Sequence, residues 1–201
     1  MPTGIAIRDV REQLFDAAER VLLRDGPSAL TSRAVTTEAG CAKGVLHRHF
    51  EDFDTFLAEL VLDRIARLDE QAVVLHGVAG SDTVAGNVTV ALTTLFDSVA
   101  CQILGLVTAR HDLLARLRRT TPVGIPVLTE ATAMVASYLT IERELERIAP
   151  DADIDTLAPV LIGTVHLLFA GRPDTPPDAE TVEKLVSNVI GGVVKETRGR
   201  R

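Results

Sequence analysis

Residues 31–50 read TSRAVTTEAGCAKGVLHRHF. Thr31 stands where a hydroxyl can accept one of the backbone N–H groups that a helix's first turn leaves unpartnered, so a short helix ending near Ala39 is expected. Gly40 permits a sharp turn, and a second short helix follows from about Ala42 to His49. Val35, Ala39, Val45 and Leu46 fall on the inward side and set the angle between the two helices. Arg33, Thr37, Lys43, His47 and Arg48 are left facing outward. Two short helices about a glycine turn are the pattern of a helix-turn-helix, whose second helix enters the major groove of DNA. Many helical hairpins share that turn, so the flanking sequence has to arbitrate.

Upstream, Val10, Leu14, Ala17, Ala18, Val21 and Leu22 recur at spacings of three and four, which predicts an amphipathic helix over 9–25. Gly26-Pro27 stops it, because glycine accepts a left-handed cap and proline cannot continue the helix. Downstream, Asp52 or Asp54 can cap a helix whose apolar face holds Phe56, Leu57, Leu60, Val61, Ile65 and Leu68. Gly77, Gly80 and Ser81 mark a loop, and further helices are expected near 83–99, 101–119, 124–148, 155–170 and 179–196. Pro122 and Pro126 leave two possible starts for the third of these. Pro150 followed by Asp151, Asp153 and Asp155 reads as a helix end and an acid-rich helix start, which suits the macrodipole. Arg172–Pro177 is a proline-rich loop. No period-2 alternation and no internal repeat stands out, so the chain is expected to be all-α.

The stretch from Arg11 to Leu57 is more specific than the hairpin. LFDAAERVLLRDG (14–26), Thr31, EAG (38–40) and KGVLHRHF (43–50), followed by acidic residues and Phe56-Leu57, resemble the DNA-binding domain of the tetracycline-repressor (TetR-like) family of bacterial transcription regulators. The resemblance covers about the first quarter of the chain by motif; the rest agrees in length and helical content. It implies a three-helix DNA-binding domain over 1–52 and a helical ligand-binding and dimerisation domain over 53–201. Thr31 matches the threonine that starts the family's second helix, where hydroxyl and backbone N–H can hold a phosphate. Lys43 and Gly44 open the recognition helix, Lys43 toward a base edge or phosphate and Gly44 for close backbone approach. His49 and Phe50 match the terminal His-Phe pair, with Phe50 a core residue. Arg33, Thr37, His47 and Arg48 complete the candidate DNA-binding set, and Arg48 has the geometry for bidentate contact to guanine. Four positions depart from the family pattern. His47 stands for a tyrosine, Ala42 for a Ser or Thr cap, Phe53 for a lysine at the start of the fourth helix, and Cys41 for a valine.

The charge distribution agrees with this reading. The net charge of the 201 residues is −7, which by itself argues against a nucleic-acid partner. Resolved along the chain, residues 1–50 hold seven Lys/Arg against six Asp/Glu, and residues 51–201 hold fourteen against twenty-two. Within 28–50 there are three basic residues and one acid, Glu38. Few local cations predict DNA held by a few contacts, with long-range repulsion screened by salt.

Other classes find little support. The composition, 46% hydrophobic and 24% charged, is that of a globular protein. Thr156–Gly171 is too short, and Thr83–Ala109 too polar, for a membrane span of roughly 20 apolar residues. Two cysteines make no disulfide framework, no signal-peptide pattern opens the chain, and a cytoplasmic location, on the nucleoid when DNA-bound, is expected. His47 and His49 point about 200° apart on a helix, which disfavours a metal site with Cys41. No catalytic motif is present, and no cofactor or enzymatic activity is expected.

The last helices favour association. Val182, Leu185, Val186, Val189, Ile190 and Val193 form one apolar face, and the preceding helix is apolar nearly all round, with Leu161, Val165 and Leu168 on one side. The resemblance implies a homodimer built on these two helices. Phe96, Leu104, Val107, Met134, Tyr138, His166 and Phe169 supply mostly apolar surface with a few polar tips, the composition of a small-molecule effector site and equally of a packed core. The expected function is a ligand-responsive regulator, a repressor released from a palindromic double-stranded operator. The alternative is a helical binding protein that has kept the fold without DNA contact.

Overall fold

The computed structural model describes residues 7–96, 99–170 and 175–195. Helix α1 (Ile7–Asp25) buries Leu14, Ala17, Ala18, Val21 and Leu22, the stripe its spacing predicts. Gly26, at φ +77°, turns the chain out of α1, and Pro27–Ala29 form one 3₁₀ turn that the sequence reading does not contain. Helices α2 (Ser32–Glu38) and α3 (Gly44–His49) follow around Gly40 at φ +65°. Asp52 caps α4 (Phe53–Gly77), its Oδ1 accepting the Thr55 N–H at 2.6 Å.

The remaining helices are α5 (Val84–Phe96), α6 (Ala100–Ala109), α7 (His111–Leu117), α8 (Leu128–Glu144), α9 (Ile154–Ala170) and α10 (Ala179–Ile190). The described residues are all-helical apart from a single bridge pairing Ile148 with Val194. Several ends differ from expectation, and the helix expected to reach 148 stops at Glu144, two residues before Glu146 at φ +61°. The helix expected over 101–119 is broken at Arg110, which is extended (φ −118°, ψ 99°) without any glycine or proline to mark it. Helix α8 starts late because Val127 sits at φ +76°, held there by its N–H donating to Glu130 Oε2 at 2.7 Å. Helix α10 stops at Ile190, six residues early, where Gly191-Gly192 lead into the bridge at Val194. Residues 97 and 98, just before the end expected at 99, lie outside the described residues, as do part of the loop Arg172–Pro177 and residue 196.

The chain forms two compact units. The first comprises residues 1–64 and 102–126, and the second 65–101 and 127–201. In the first unit, Phe15, Phe50 and Phe56 are buried with ring centroids 5.0–5.8 Å apart, and Phe53 stacks on Phe56 at 5.6 Å. In the second, α5, α8, α9 and α10 bury aliphatic side chains such as Leu92, Leu139, Ile162 and Val186. Among the described residues no single helix is long and apolar enough to cross a membrane.

Candidate nucleic-acid interface

The short helices α2 and α3 can hold shape only through what lies beneath them, since helices this short are marginal alone. Val35 and Leu46 are fully buried, with Ala39 and Val45 half-buried beside them. Thr31 caps α2: its Oγ1 accepts the Ala34 N–H at 3.1 Å, which leaves the hydroxyl proton free to donate outward. Such a cap stabilises a helix by about 1 kcal/mol. Helix α3 has no side-chain cap, in line with Ala42 and Lys43 at its entry.

Thr31, Arg33, Thr37, Lys43, Gly44, His47 and Arg48 are all exposed, and His49 is half-buried. The one acid of the segment, Glu38, does not face this surface unmatched. Arg20 Nε donates to its Oε1 and Arg24 Nη1 to its Oε2, each at 2.8 Å. These hydrogen bonds, Arg24's first, hold the carboxyl below its ordinary range, so it stays ionised with two guanidiniums of α1 against it. The cations of α2 and α3 therefore set the sign of the local field.

A residue without a role in the sequence reading fastens the far end of α3. Arg11 of α1 donates through Nη1 to the His49 carbonyl at 3.1 Å, stands 4.3 Å over the Phe50 ring, and ion-pairs with Glu59 of α4. It satisfies a helix-end carbonyl and covers the ring with a cation, so three helices are tied through one side chain. Nothing in the local pattern around Arg11 announces a partner 38 residues away. Phe53 offers no charge; it packs into the aromatic cluster, with the Arg110 guanidinium 5.9 Å from its ring.

The candidate effector residues divide between the units. Leu104 and Val107 are buried in the first; Phe96, Met134, Tyr138, His166 and Phe169 belong to the second. Phe96 stands 5.8 Å from both the His166 and Phe169 rings, and burial lowers the His166 pKa below 6.5, which keeps the imidazole neutral at pH 7. Tyr138 is fully buried and its hydroxyl is already engaged. It donates to Glu142 Oε1 at 2.5 Å and accepts from Asn87 Nδ2 at 3.0 Å. Arg147 sits 3.2 Å from Glu142 Oε2, and the Gly80 N–H donates to Oε1 at 3.2 Å. Burial and then the Glu142 bond push the Tyr138 phenol pKa upward. Burial pushes the Cys101 thiol up to about 11, which leaves it unreactive at neutral pH.

The association candidates also separate. Leu161, Val165, Val182, Val186 and Ile190 are sealed inside the protomer, where α9 and α10 pack on each other and on α5. Leu168, Leu185, Val189 and Val193 are half-exposed. The outward face of α9 is instead carried by Val160 (43% exposed) and Leu167 (73%), one turn either side of Thr164, whose hydroxyl is turned back onto the Val160 carbonyl at 2.6 Å.

Comparison with known proteins agrees with this architecture. Residues 14–60 match the profile of the bacterial regulatory proteins of the tetR family. No curated protein sequence matches the chain. Among solved structures, a TetR-family protein of Mesorhizobium loti is 17% identical with a TM-score of 0.71, the match covering 94% of this chain and 96% of that one. A transcriptional regulator of Rhodococcus sp. Rha1 is 22% identical with a TM-score of 0.66, over 91% and 95%. A gamma-butyrolactone receptor is 20% identical with a TM-score of 0.69, over 96% and 92%. Residues 14–60 are thus similar to the N-terminal domain of the tetR family, and the helices of the chain follow the fold of these solved structures.

Proposed function

We propose that the chain is a homodimeric, ligand-responsive transcriptional regulator that binds double-stranded DNA, acting as a repressor in the cytoplasm. The observation that carries the reading is that Arg33, Lys43, His47 and Arg48 are all exposed on or at the entry of two short helices anchored by buried Val35 and Leu46, whose one acid is matched by α1. Thr31 and Thr37 add hydroxyls for phosphate, Gly44 allows close backbone approach, and His49 lies at the edge of the surface. Residues 1–52 are assigned DNA contact and 53–201 effector binding and dimerisation. Two-fold symmetry then calls for a palindromic operator with half-sites about 34–36 Å apart or a multiple of that.

Selection of bound duplexes from a random-sequence pool, followed by salt-dependent binding, tests the reading. Lys43→Ala and Arg48→Ala are expected to weaken binding to the selected duplex; unchanged affinity and salt slope overturn the assignment. A protein that enriches no sequence at all would instead be a helical binding protein without DNA contact, as the missing cap at Ala42 and the uncharged Phe53 would suit.

For the dimer, the uncovered Val160–Leu167 face of α9, together with Leu168, Leu185, Val189 and Val193, supports pairing with a second copy. Leu167→Asp is expected to shift sedimentation from dimer to monomer. For the effector, Phe96, Phe169 and a neutral His166 favour an apolar or amphipathic molecule, with Leu104, Val107, Met134 and Tyr138 as further candidates. Similar folds named as a gamma-butyrolactone receptor and as a multidrug binding protein complexed with imidazole are consistent with a small-molecule ligand. To release DNA, that ligand must bind the two dimer shapes with different affinity.

A further inference from the structure

A second concentration of positive charge in the first unit lies on α7 and the residues that flank it. Residues 110–119, RHDLLARLRR, hold four arginines and one acid, whereas the remainder of 51–201 holds ten Lys/Arg against twenty-one Asp/Glu. Two of the four arginines are engaged by the start of α4 and the chain before α2. Arg110 donates to the Leu30 carbonyl at 3.3 Å and lies 3.9 Å from Asp54. Arg116 donates through Nη1 to Thr55 Oγ1 at 2.5 Å, and its Nη2 is 3.6 Å from Asp52. These contacts hold α7 against the first turn of α4. They also offset two of the three acids, Glu51, Asp52 and Asp54, that directly follow the recognition helix and would repel phosphate.

Arg118 and Arg119 are then left exposed, with no carboxylate partner among the described residues. Arg119 lies in the turn that follows α7, its N–H donating to the Arg116 carbonyl at 3.2 Å, so it is at most about 11 Å of chain from Arg116. His49, at the end of α3, precedes Asp52 by three residues, at most about 11 Å of chain. With the side-chain reach added, the pair stays within the about 34 Å that one turn of duplex spans. Phe53 contributes no cation at the start of α4, so beyond Arg48 the further uncommitted positive charge comes from Arg118 and Arg119 at the end of α7.

We infer that Arg118 and Arg119 form a second, sequence-indifferent contact to the phosphate backbone of duplex DNA, beside the groove that α3 enters. The inference rests on the DNA-binding reading above and adds a surface to it. Phosphate contacts fix register and carry no base information, but each releases counterions and steepens the salt dependence of binding.

The probes are the duplex recovered by selection and a scrambled duplex of the same composition, titrated across a range of salt. In R118A/R119A the slope of log affinity against log salt is expected to become shallower by about 1.8 for each bound protomer, with equal loss on both duplexes. R118K/R119K should keep the wild-type slope, because a point charge suffices for phosphate. K43A/R48A should instead reduce discrimination between the two duplexes. A wild-type slope in R118A/R119A, or a loss confined to the selected duplex, overturns this inference and leaves the DNA-binding reading standing. Wild-type protein that binds neither duplex overturns both. Both side chains are exposed, so the substitutions spare the fold, which an unchanged thermal melt checks.

Discussion

The two units of this chain solve different physical problems. The first holds twelve Lys/Arg and twelve Asp/Glu, and the second nine against sixteen, so the whole net charge belongs to the second. Four of the six phenylalanines lie in the first, where they form the cluster that supports two helices of seven and six residues. Charge there is arranged at the rim: Arg20 and Arg24 neutralise Glu38, Arg11 closes the end of α3, and Arg110 and Arg116 clasp the start of α4. In the second unit the main polar feature lies inside, where fully buried Glu142 joins Tyr138, Arg147 and the Gly80 N–H, while an apolar face of α9 lies outside. A surface that must read a polyanion needs rigid outward cations on a small core. On the proposed function, a helical unit that pairs with another copy can leave its outer face apolar and keep its polar fastening internal.

Four expectations would sharpen or break this contrast. The largest effects are on stability. Glu142→Ala leaves Arg147 without its carboxylate and the Tyr138 hydroxyl without its acceptor, and is expected to cost about 3–5 kcal/mol in denaturant unfolding. A loss below about 1 kcal/mol would remove the internal fastening from the comparison. Its counterpart in the first unit, Phe50→Ala, empties the aromatic cluster at a similar cost of about 3–5 kcal/mol, and should also degrade DNA binding because α3 loses its support.

Smaller is Arg11→Ala, expected to cost about 1–2 kcal/mol through the lost carbonyl bond and ring contact. Amide hydrogen exchange should show faster opening at Phe50 than at the start of α3; uniform protection across α3 would deny Arg11 its fastening role. The smallest is a pH effect. Burial beside Phe96 and Phe169 lowers the folded pKa of His166 below 6.5, so the unfolded chain binds that proton more tightly. The stability it contributes is present above about pH 6.5 and is lost as pH falls through the folded pKa. His166→Phe should flatten the thermal-melt profile below about pH 6.5. Glu38 and Asp52, both held below their ordinary carboxylate values, act only in a more acidic window.

Much of this was legible in the residues before any tertiary contact was known. The 3.6-residue spacing of Leu14, Ala18, Val21 and Leu22 places α1, and Thr31, Gly40 and the pair Asp52 and Asp54, of which the structure uses Asp52, place the turns and caps of the next three helices, because each acts within four residues of itself. The outward cations of α2 and α3 follow from the same local period. The proposed association face was less legible: on a helix apolar all round, such as α9, periodicity cannot say which side its own chain covers. Leu161 and Val165 went inward, and Val160 and Leu167 stayed out. Tyr138 read as a polar tip for a ligand, yet its hydroxyl is bonded to Asn87, 51 residues away.

By itself, then, the sequence determined an all-helical chain with a helix-turn-helix near its start and a small basic excess on that motif. Tertiary structure alone decided the break at Arg110, the closure of α3 by Arg11, and the fastening of α7 to α4. Those depend on partners 38 to 80 residues distant: His49 for Arg11, Thr55 for Arg116, and Leu30 for Arg110. A helix propagates from contacts three and four residues apart, which a sequence displays directly. A long cation chooses among every carbonyl and carboxylate the fold brings within reach, and only the folded chain supplies that choice.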